Sequence, residues 1–457
     1  MADWQAQLSD LIEPALARSK ATDAVRIGAG TLGQAGALAA QVTSQRKALV
    51  MADSAGFAAA GRPVVDALSA AGFAVQSLVL NAEPLPKAST QEAEPFRAAL
   101  AADPDLFPVS VGSGVINDLV KYAAFVTDRR YLSVATAASM DGYTSAGAPL
   151  ARDGFKITIP TRAPIALLAD LDVLADAPAE MNGWGYGDLA GKIPAGGDWM
   201  LADALGVEPL DDVAWPLVQD HLRGWLDAPS GIASADRGSI AGLFIGLTAV
   251  GFAMEFHGTS RPASGADHQI AHMWEMEGHS HSGRKVSHGA AVAVGCVATL
   301  ALYEWLLKQD LSRLDVAATV SGAPDLEARK RQLRMVISDP QVAGKAEAEL
   351  AAKHAAPPVH QQRLERLTET WPGLRDRLAR HLVPAGEMAQ MLAAAGAPSH
   401  AHEIGVAPDH LMRTMNAAGF IRSRYTVLDL LHETGLTRAA FAAVLPGLCP
   451  ITTRAAE

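Results

Sequence analysis

Between Asp23 and Ser133, short apolar runs bounded by turn residues alternate with longer alanine-rich stretches, and this rhythm restricts the fold more than any other feature of the chain. Apolar runs of strand length separated by helix-length segments read as βα units, which close into a mostly parallel sheet with flanking helices. The expected strands are Ala24 to Ile27, Ala48 to Met51, Ala74 to Val79, Leu106 to Val111 and Tyr131 to Val134, with helices from about Gly33, Ala58, Gln91 and Val115. A further apolar run, Ile165 to Ala169, closes the α/β part, and the chain changes character after about Arg162. From Asp188 onward, Ala/Leu/Arg/Glu-rich segments dominate and proline marks helix boundaries at Pro357, Pro358, Pro372 and Pro384. The expected organisation is an α/β Rossmann-like domain over residues 1–162 followed by an all-α domain over residues 163–457.

Two segments in the second half are apolar on all sides, Ser239 to Phe256 and Ala290 to Leu307. The first tempts a membrane assignment, but its clean apolar run falls short of a span and is rich in Gly and Ala, so both read as buried core helices. No membrane span is expected. The first thirty residues carry interspersed charges and lack a signal peptide's apolar stretch, so export is not expected either. With a net charge of −11 and no Lys/Arg run, the chain is not a general nucleic-acid binder. Two cysteines, Cys296 and Cys449, are too few for a disulfide framework and suit a reducing compartment, the cytoplasm.

Histidines are concentrated between the two apolar segments, at His268, His272 and His288. Burying several imidazoles among apolar residues without partners leaves polar nitrogens unsatisfied, and a metal ion resolves this. His268 and His272, four residues apart, share a helical face. Either both ligate, or one ligates while the other handles a proton or a hydroxyl. Asp188, in Gly185-Tyr186-Gly187-Asp188, completes a two-His-one-carboxylate set with His268 and His288 and leaves positions open for substrate; as an isolated feature, an aspartate there also suits a helix N-cap. His279 and His281, in a Gly/Ser-rich stretch, read as exposed loop residues. The absence of Glu within the His-x-x-x-His segment argues against a zinc-protease arrangement.

Two glycine loops compete as a phosphate cradle. Gly28-Ala29-Gly30-Thr31-Leu32-Gly33 fits G-x-G-x-x-G, with Asp53 ending the next strand where a ribose hydroxyl would sit, although the same glycines serve a tight turn. The second loop, Gly112-Ser113-Gly114 leading into Val115, Ile116, Asn117 and Asp118, opens a helix whose N–H groups suit an anion. Asp118 and Lys121 share a face of that helix, as a solvated ion pair or a phosphate contact. Thr136 to Ser145 follow a strand's carboxyl end, where open α/β sheets bind ligands, and Asp141 there suits a hydroxylated substrate as well as turn chemistry.

The segments VGSGVINDLVKYA, TAASMDGYTS, APIALLADLDVLADAPAEMNGWGYGDLAGK, SRPASGADHQIAHMWEME and SHGAAVAVG, in this order, resemble the glycerol-1-phosphate dehydrogenase family, especially its bacterial branch. That family lies in the iron-containing alcohol dehydrogenase and dehydroquinate synthase-like superfamily. The resemblance runs from about Gly28 to Gly295 and recurs at Arg424 to Leu431.

It implies a pyrophosphate loop at Gly114, Val115, Ile116, Asn117 and Asp118, and nicotinamide-side contacts from Thr136, Ala137, Ala138, Ser139 and Ser145. It further implies metal ligands Asp188, His268 and His288, and substrate contacts from Asp141, Asp188 and His272. Lys192 stands where iron-type relatives carry a further histidine, Ser113 replaces a middle glycine, and Ala290 replaces an acidic residue. Lys192 to Gly197, containing Pro194, is expected to break the helix after Asp188.

The implied reaction is the reduction of dihydroxyacetone phosphate by NADH or NADPH to sn-glycerol 1-phosphate, with one Zn²⁺ or Ni²⁺ per site. Asp53 disfavours a 2′-phosphate. His272, Asp141 and Lys121 are the expected catalytic residues, and Lys121, Lys192 and Arg261 are candidates for holding the substrate phosphate. A homo-oligomer, a dimer, is the expected assembly. The alternatives are a dehydrogenase of another phosphorylated ketose or polyol, and a metal- and NAD-dependent carbocycle-forming lyase on the same fold.

Overall fold

The structure, a computed structural model, describes residues 4–81, 83, 86–152 and 155–449. Six strands, β1 (Ala24–Gly28), β2 (Lys47–Asp53), β3 (Ala74–Leu80), β4 (Leu106–Gly112), β5 (Leu132–Ala135) and β8 (Ala166–Asp170), form one parallel sheet in the order β1-β8-β5-β4-β2-β3. Each expected strand is present to within about two residues at its ends. Strands β4, β5 and β8 are buried along their whole length. Their near-continuous apolar sequence is that of a parallel sheet covered on both faces.

Helices α1 (Ala35–Val42) and α2 (Arg62–Ala70) cover one face, where Leu38, Val64 and Leu68 pack with Val50 and Val109. Helices α3 (Glu94–Ala102) and α4 (Gly114–Val126) cover the other, where Phe96, Ile116 and Leu119 pack with Leu49 and Met51. From β2 the chain crosses outward to β3 and then back to β4 on the other side of β2. Strand order therefore reverses at the carboxyl ends of β2 and β4, the position at which open α/β sheets take ligands. A β-hairpin, β6 (Gly147–Arg152) with β7 (Phe155–Pro160), interrupts the βα rhythm before β8; the sequence reading did not anticipate it.

The remaining helices used below are α5 (Ala179–Ala190), α6 (Lys192–Ala204), α7 (Arg237–His257), α8 (Ala266–Met276), α9 (His288–Leu306) and α10 (Val427–Glu433). The chain forms two compact units, residues 1–189 with 213–260, and residues 190–212 with 261–457. A single cut at residue 162 does not follow this division. It would remove β8, which pairs with both β1 and β5, from the middle of the sheet. It would also separate α7 from the sheet unit to which the helix belongs.

Helices α7 and α9 have the length and composition of membrane spans, yet 78 % and 83 % of their most apolar windows are buried inside the protein. Each is the core helix of its own unit. The segment Lys192 to Gly197, expected to break the helix after Asp188, is itself helical and opens α6; the chain turns one residue earlier, at Gly191, and Pro194 sits in the first turn, where its missing N–H removes only a donor that has no intrahelical partner.

Candidate active site

The two glycine loops differ in what already occupies their N–H groups. In the first, Gly30 N–H and Leu32 N–H donate to the two oxygens of Asp170, at 3.1 and 3.0 Å. A carboxylate of the protein fills the place an anionic ligand would take, so this G-x-G-x-x-G is a structural turn between β1 and α1. The second loop follows β4 at the point of strand reversal, and Ser113, the N-cap of α4, makes no side-chain capping bond. Asp53 ends β2 beside this loop. A Cβ on Gly56, in the turn that follows, would lie 2.8 Å from the Val111 carbonyl oxygen and 3.0 Å from Gly112 Cα. The Asp53 carboxylate accepts the Gly56 N–H at 2.7 Å and so caps the start of the next helix.

On α4 it is Lys121 that departs from the sequence expectation. Ile116 is fully buried in the core, and Asn117, also fully buried, accepts hydrogen bonds from the Tyr131 hydroxyl at 3.1 Å and the Ser133 hydroxyl at 2.9 Å. Both face the sheet, which leaves only their backbone for a nucleotide. Lys121 is neither a solvated partner of Asp118 nor a phosphate contact. It is fully buried, and its ammonium donates to the carbonyl oxygens of Gly142 at 2.6 Å and Gly147 at 3.1 Å and to Ser145 Oγ at 3.4 Å, with Asp118 Oδ1 at 3.5 Å. Burial pushes its pKa down, against the opposing pull of Asp118 and Asp141. Spacing along a helix shows which face two residues share but not whether that face is covered, and here the Thr136–Gly147 segment covers it.

That segment is anchored along its length. Thr136 N–H donates to Gly112 O at 3.1 Å, Tyr143 hydroxyl to Ala137 O at 2.8 Å, Ser145 hydroxyl to Gly142 O at 3.0 Å, and Thr144 hydroxyl to Thr248 O of α7 at 2.8 Å. Helix α5 passes immediately beside it, because a Cβ on Gly185 would sit 1.7 Å from the Ala138 carbonyl oxygen. Only glycine permits this approach. The contact brings Asp188, fully buried in the last turn of α5 and not at an N-cap, against the same segment, where its Oδ2 accepts the Asp141 N–H at 3.0 Å. The two aspartates singled out from the sequence are therefore neighbours.

In the second unit, α8 and the first residue of α9 gather three imidazoles. Ring centroids of His268 and His288 are 5.3 Å apart, those of His268 and His272 6.0 Å, and those of His272 and His288 5.8 Å. His268 Nδ1 is 2.5 Å from Asp267 Oδ2, and His288 Nδ1 is 2.8 Å from Glu275 Oε1. A carboxylate on Nδ1 fixes the tautomer with its proton there and leaves Nε2 as a basic donor for a metal ion. Asp267 is itself held by the Gly265 N–H at 3.1 Å. These two carboxylates escaped the sequence reading, although Asp267 directly precedes His268 and Glu275 lies one helical turn beyond His272. His279 is half-buried, with Nε2 2.7 Å from Ile404 O, and His281 is exposed; both lie in a short hairpin separate from the imidazole cluster.

Buried charge holds this cluster's helix in place. Asp198 of α6 accepts the Tyr303 hydroxyl at 2.6 Å and the N–H groups of Ala266 at 2.7 Å and Val427 at 2.7 Å, joining α6, α8, α9 and α10. Burial pushes its pKa up to about 7 against these bonds. Arg261 is fully buried and donates to Tyr425 O at 3.0 Å and Asp198 O at 2.9 Å, and it pairs with Glu208 at 3.2 Å. This guanidinium braces the protein and is not presented to a substrate phosphate. Lys192 is likewise fully buried, in the first turn of α6.

A model of the iron-containing alcohol dehydrogenase family matches residues 26–178. The chain is 31 % identical over 390 residues to a glycerol-1-phosphate dehydrogenase (NAD(P)+) of Bacillus velezensis, covering 84 % of this chain and 85 % of that one. It is 30 % identical over 378 residues to the Bacillus subtilis protein of the same name, covering 82 % of each. A crystal structure of a probable glycerol dehydrogenase from Sinorhizobium meliloti 1021 shares the fold, with a TM-score of 0.58 over 92 % of this chain and 97 % of that one at 18 % identity. With this extent of similarity added to the sheet, the loop after β4 and the histidine cluster, the chain belongs to the glycerol-1-phosphate dehydrogenase family of iron-containing alcohol dehydrogenase type.

Proposed function

We propose that this chain reversibly reduces dihydroxyacetone phosphate to sn-glycerol 1-phosphate, with NADH or NADPH and one divalent metal ion, Zn²⁺ or Ni²⁺. The observation that carries the reading is the imidazole pair His268 and His288, each with Nδ1 held by a carboxylate. That donor set suits a borderline-soft divalent ion. Asp188 is proposed as the third ligand. Among family relatives, the two Bacillus proteins carry the name of the substrate and nucleotide proposed here.

When bound, the ion supplies Lewis acidity at the ketone oxygen and the nicotinamide supplies hydride. The protein's residues then have separate tasks. The first turn of α4, Gly114 to Asp118, receives the pyrophosphate through backbone N–H groups. Thr136 to Ser139 and Ser145, locked in their segment by the bonds described above, shape the nicotinamide side. Asp141 accepts a hydrogen bond from a substrate hydroxyl. His272 carries the proton passed at Nε2 to the product oxygen, an exchange suited to an imidazole near neutral pH. Lys121 acts as a positioning residue for the Thr136–Gly147 segment and not as a catalytic group. A homodimer in the cytoplasm is the setting proposed with this activity.

The test follows NADH and NADPH absorbance with metal-stripped protein and dihydroxyacetone phosphate, with and without added Zn²⁺ or Ni²⁺. Metal-dependent loss of absorbance is expected. Folded, metal-loaded protein that consumes neither nucleotide would rule out this substrate.

A further inference from the structure

Within the second unit, three side chains stand close enough to hold a cation without Asp188. His272 and Glu275 lie three residues apart on α8, His288 opens α9, and one donor atom from each lies within 4.8 Å of the others. Tetrahedral zinc with bonds of about 2.1 Å places its ligands roughly 3.4 Å apart. His288 Nδ1 already lies 2.8 Å from Glu275 Oε1, and His272 Nε2 lies 4.0 Å from the other carboxylate oxygen. Small rotations about the broad terminal torsions of these side chains bring all three within ligand distance. Exposure is graded as well. The side chains of His272 and His288 are 21 % and 30 % exposed, against 6 % for His268, so an ion arriving from solvent meets the first two before the third.

We propose that His272, Glu275 and His288 form an outer position for a divalent cation, alternative to the inner position at His268 and His288. The two positions exclude each other because a neutral imidazole offers one lone-pair nitrogen. In the inner position His288 ligates through Nε2 and keeps its proton on Nδ1 toward Glu275. In the outer position it ligates through Nδ1, and the proton transfers through solvent to Nε2, with no net proton gained or lost. An ion in the outer position occupies His272 and is bound but unproductive, which makes this the place of uptake and of parking. The inference rests on the metal-site reading above only in taking His268 and Asp188 as the competing inner ligands.

The test titrates metal-stripped, full-length protein with Co²⁺, reading ions bound per chain by equilibrium dialysis and coordination by visible absorption. Wild type is expected to bind one ion per chain. Asp188→Asn and His268→Ala each disable only the inner position, and each is expected to keep one Co²⁺ per chain with a changed visible spectrum. Adding His272→Ala to either is expected to weaken binding at least about tenfold. Circular dichroism identifies the folded variants, and using two inner-position variants keeps the test decisive if one misfolds. The proposal is overturned if folded inner-position variants bind no Co²⁺, if His272→Ala leaves their affinity unchanged, or if wild type binds two ions per chain. Wild type that binds none would overturn the metal-site reading too, whereas loss confined to the variants would overturn only the outer position.

Discussion

The Lys121 ammonium donates to the Gly142 carbonyl oxygen at 2.6 Å, tying α4 to the segment that holds Asp141. Lys121→Met keeps the aliphatic volume but leaves two carbonyl oxygens and the Asp118 carboxylate without their buried cation. Removing one partner of a buried ionic group costs about 3–5 kcal/mol. Denaturant unfolding should show a loss of that size. A phosphate-binding lysine would instead show a raised KM for dihydroxyacetone phosphate with stability unchanged, and that result would contradict the tethering role.

Asp53 both caps the helix after β2 and stands at the point of strand reversal beside Gly112. Asp53→Asn separates these roles, because asparagine caps as well as aspartate but carries no charge. Thermal stability should stay near wild type, while the ratio of kcat/KM for NADPH to that for NADH rises as repulsion of a 2′-phosphate is removed. An unchanged ratio would place the adenosine ribose away from Asp53.

The sheet was legible because a buried parallel strand has to be apolar along its length, as Leu106–Gly112 and Ala166–Asp170 are. The hairpin Gly147–Pro160 was not, since its strands alternate imperfectly and include Pro149. Among the residues proposed for the site, His268 and His288 were legible as imidazoles that need polar partners, which Asp267 and Glu275 supply. What the sequence concealed was occupancy: whether a donor is already spent within the protein. The G-x-G-x-x-G loop is filled by Asp170, from a strand 140 residues later, and Lys121 is filled by carbonyl groups that no motif marks. Asp267 and Glu275 were hidden for the opposite reason, since a carboxylate beside a histidine is ordinary in any helix until their distance is known.

Asp267 holds His268 Nδ1 and is fully buried, so its replacement would act on an ion at the proposed site only through that ring. Asp267→Asn presents either a weaker acceptor or an amide donor, which disfavours the tautomer with Nε2 free. Affinity for Zn²⁺ should fall about 10–100-fold, measured by competition with a chromogenic chelator. Much of the lost turnover should return at saturating metal. Loss of kcat that excess metal does not restore would instead give Asp267 a direct part in the chemistry.

His432 lies at the end of α10 with Nδ1 accepting from Arg329 at 2.9 Å. Burial, then the charge of Arg329, then His360, His354 and Lys353, push its pKa down to about 3. In the unfolded chain the same ring takes up a proton near pH 6.5. Between these values the unfolded state therefore binds more protons than the folded one, and stability rises with pH across the interval. The contribution is complete above pH 6.5 and is lost as pH falls toward 3, with a slope of up to about 1.4 kcal/mol per pH unit. His432→Gln keeps an acceptor for Arg329 and cannot titrate. Denaturant unfolding between pH 6.5 and 5 should give a shallower dependence for the variant than for wild type, by up to that slope. Identical slopes would mean that His432 is protonated in the folded protein, and with it that the Arg329 contact opens in acid.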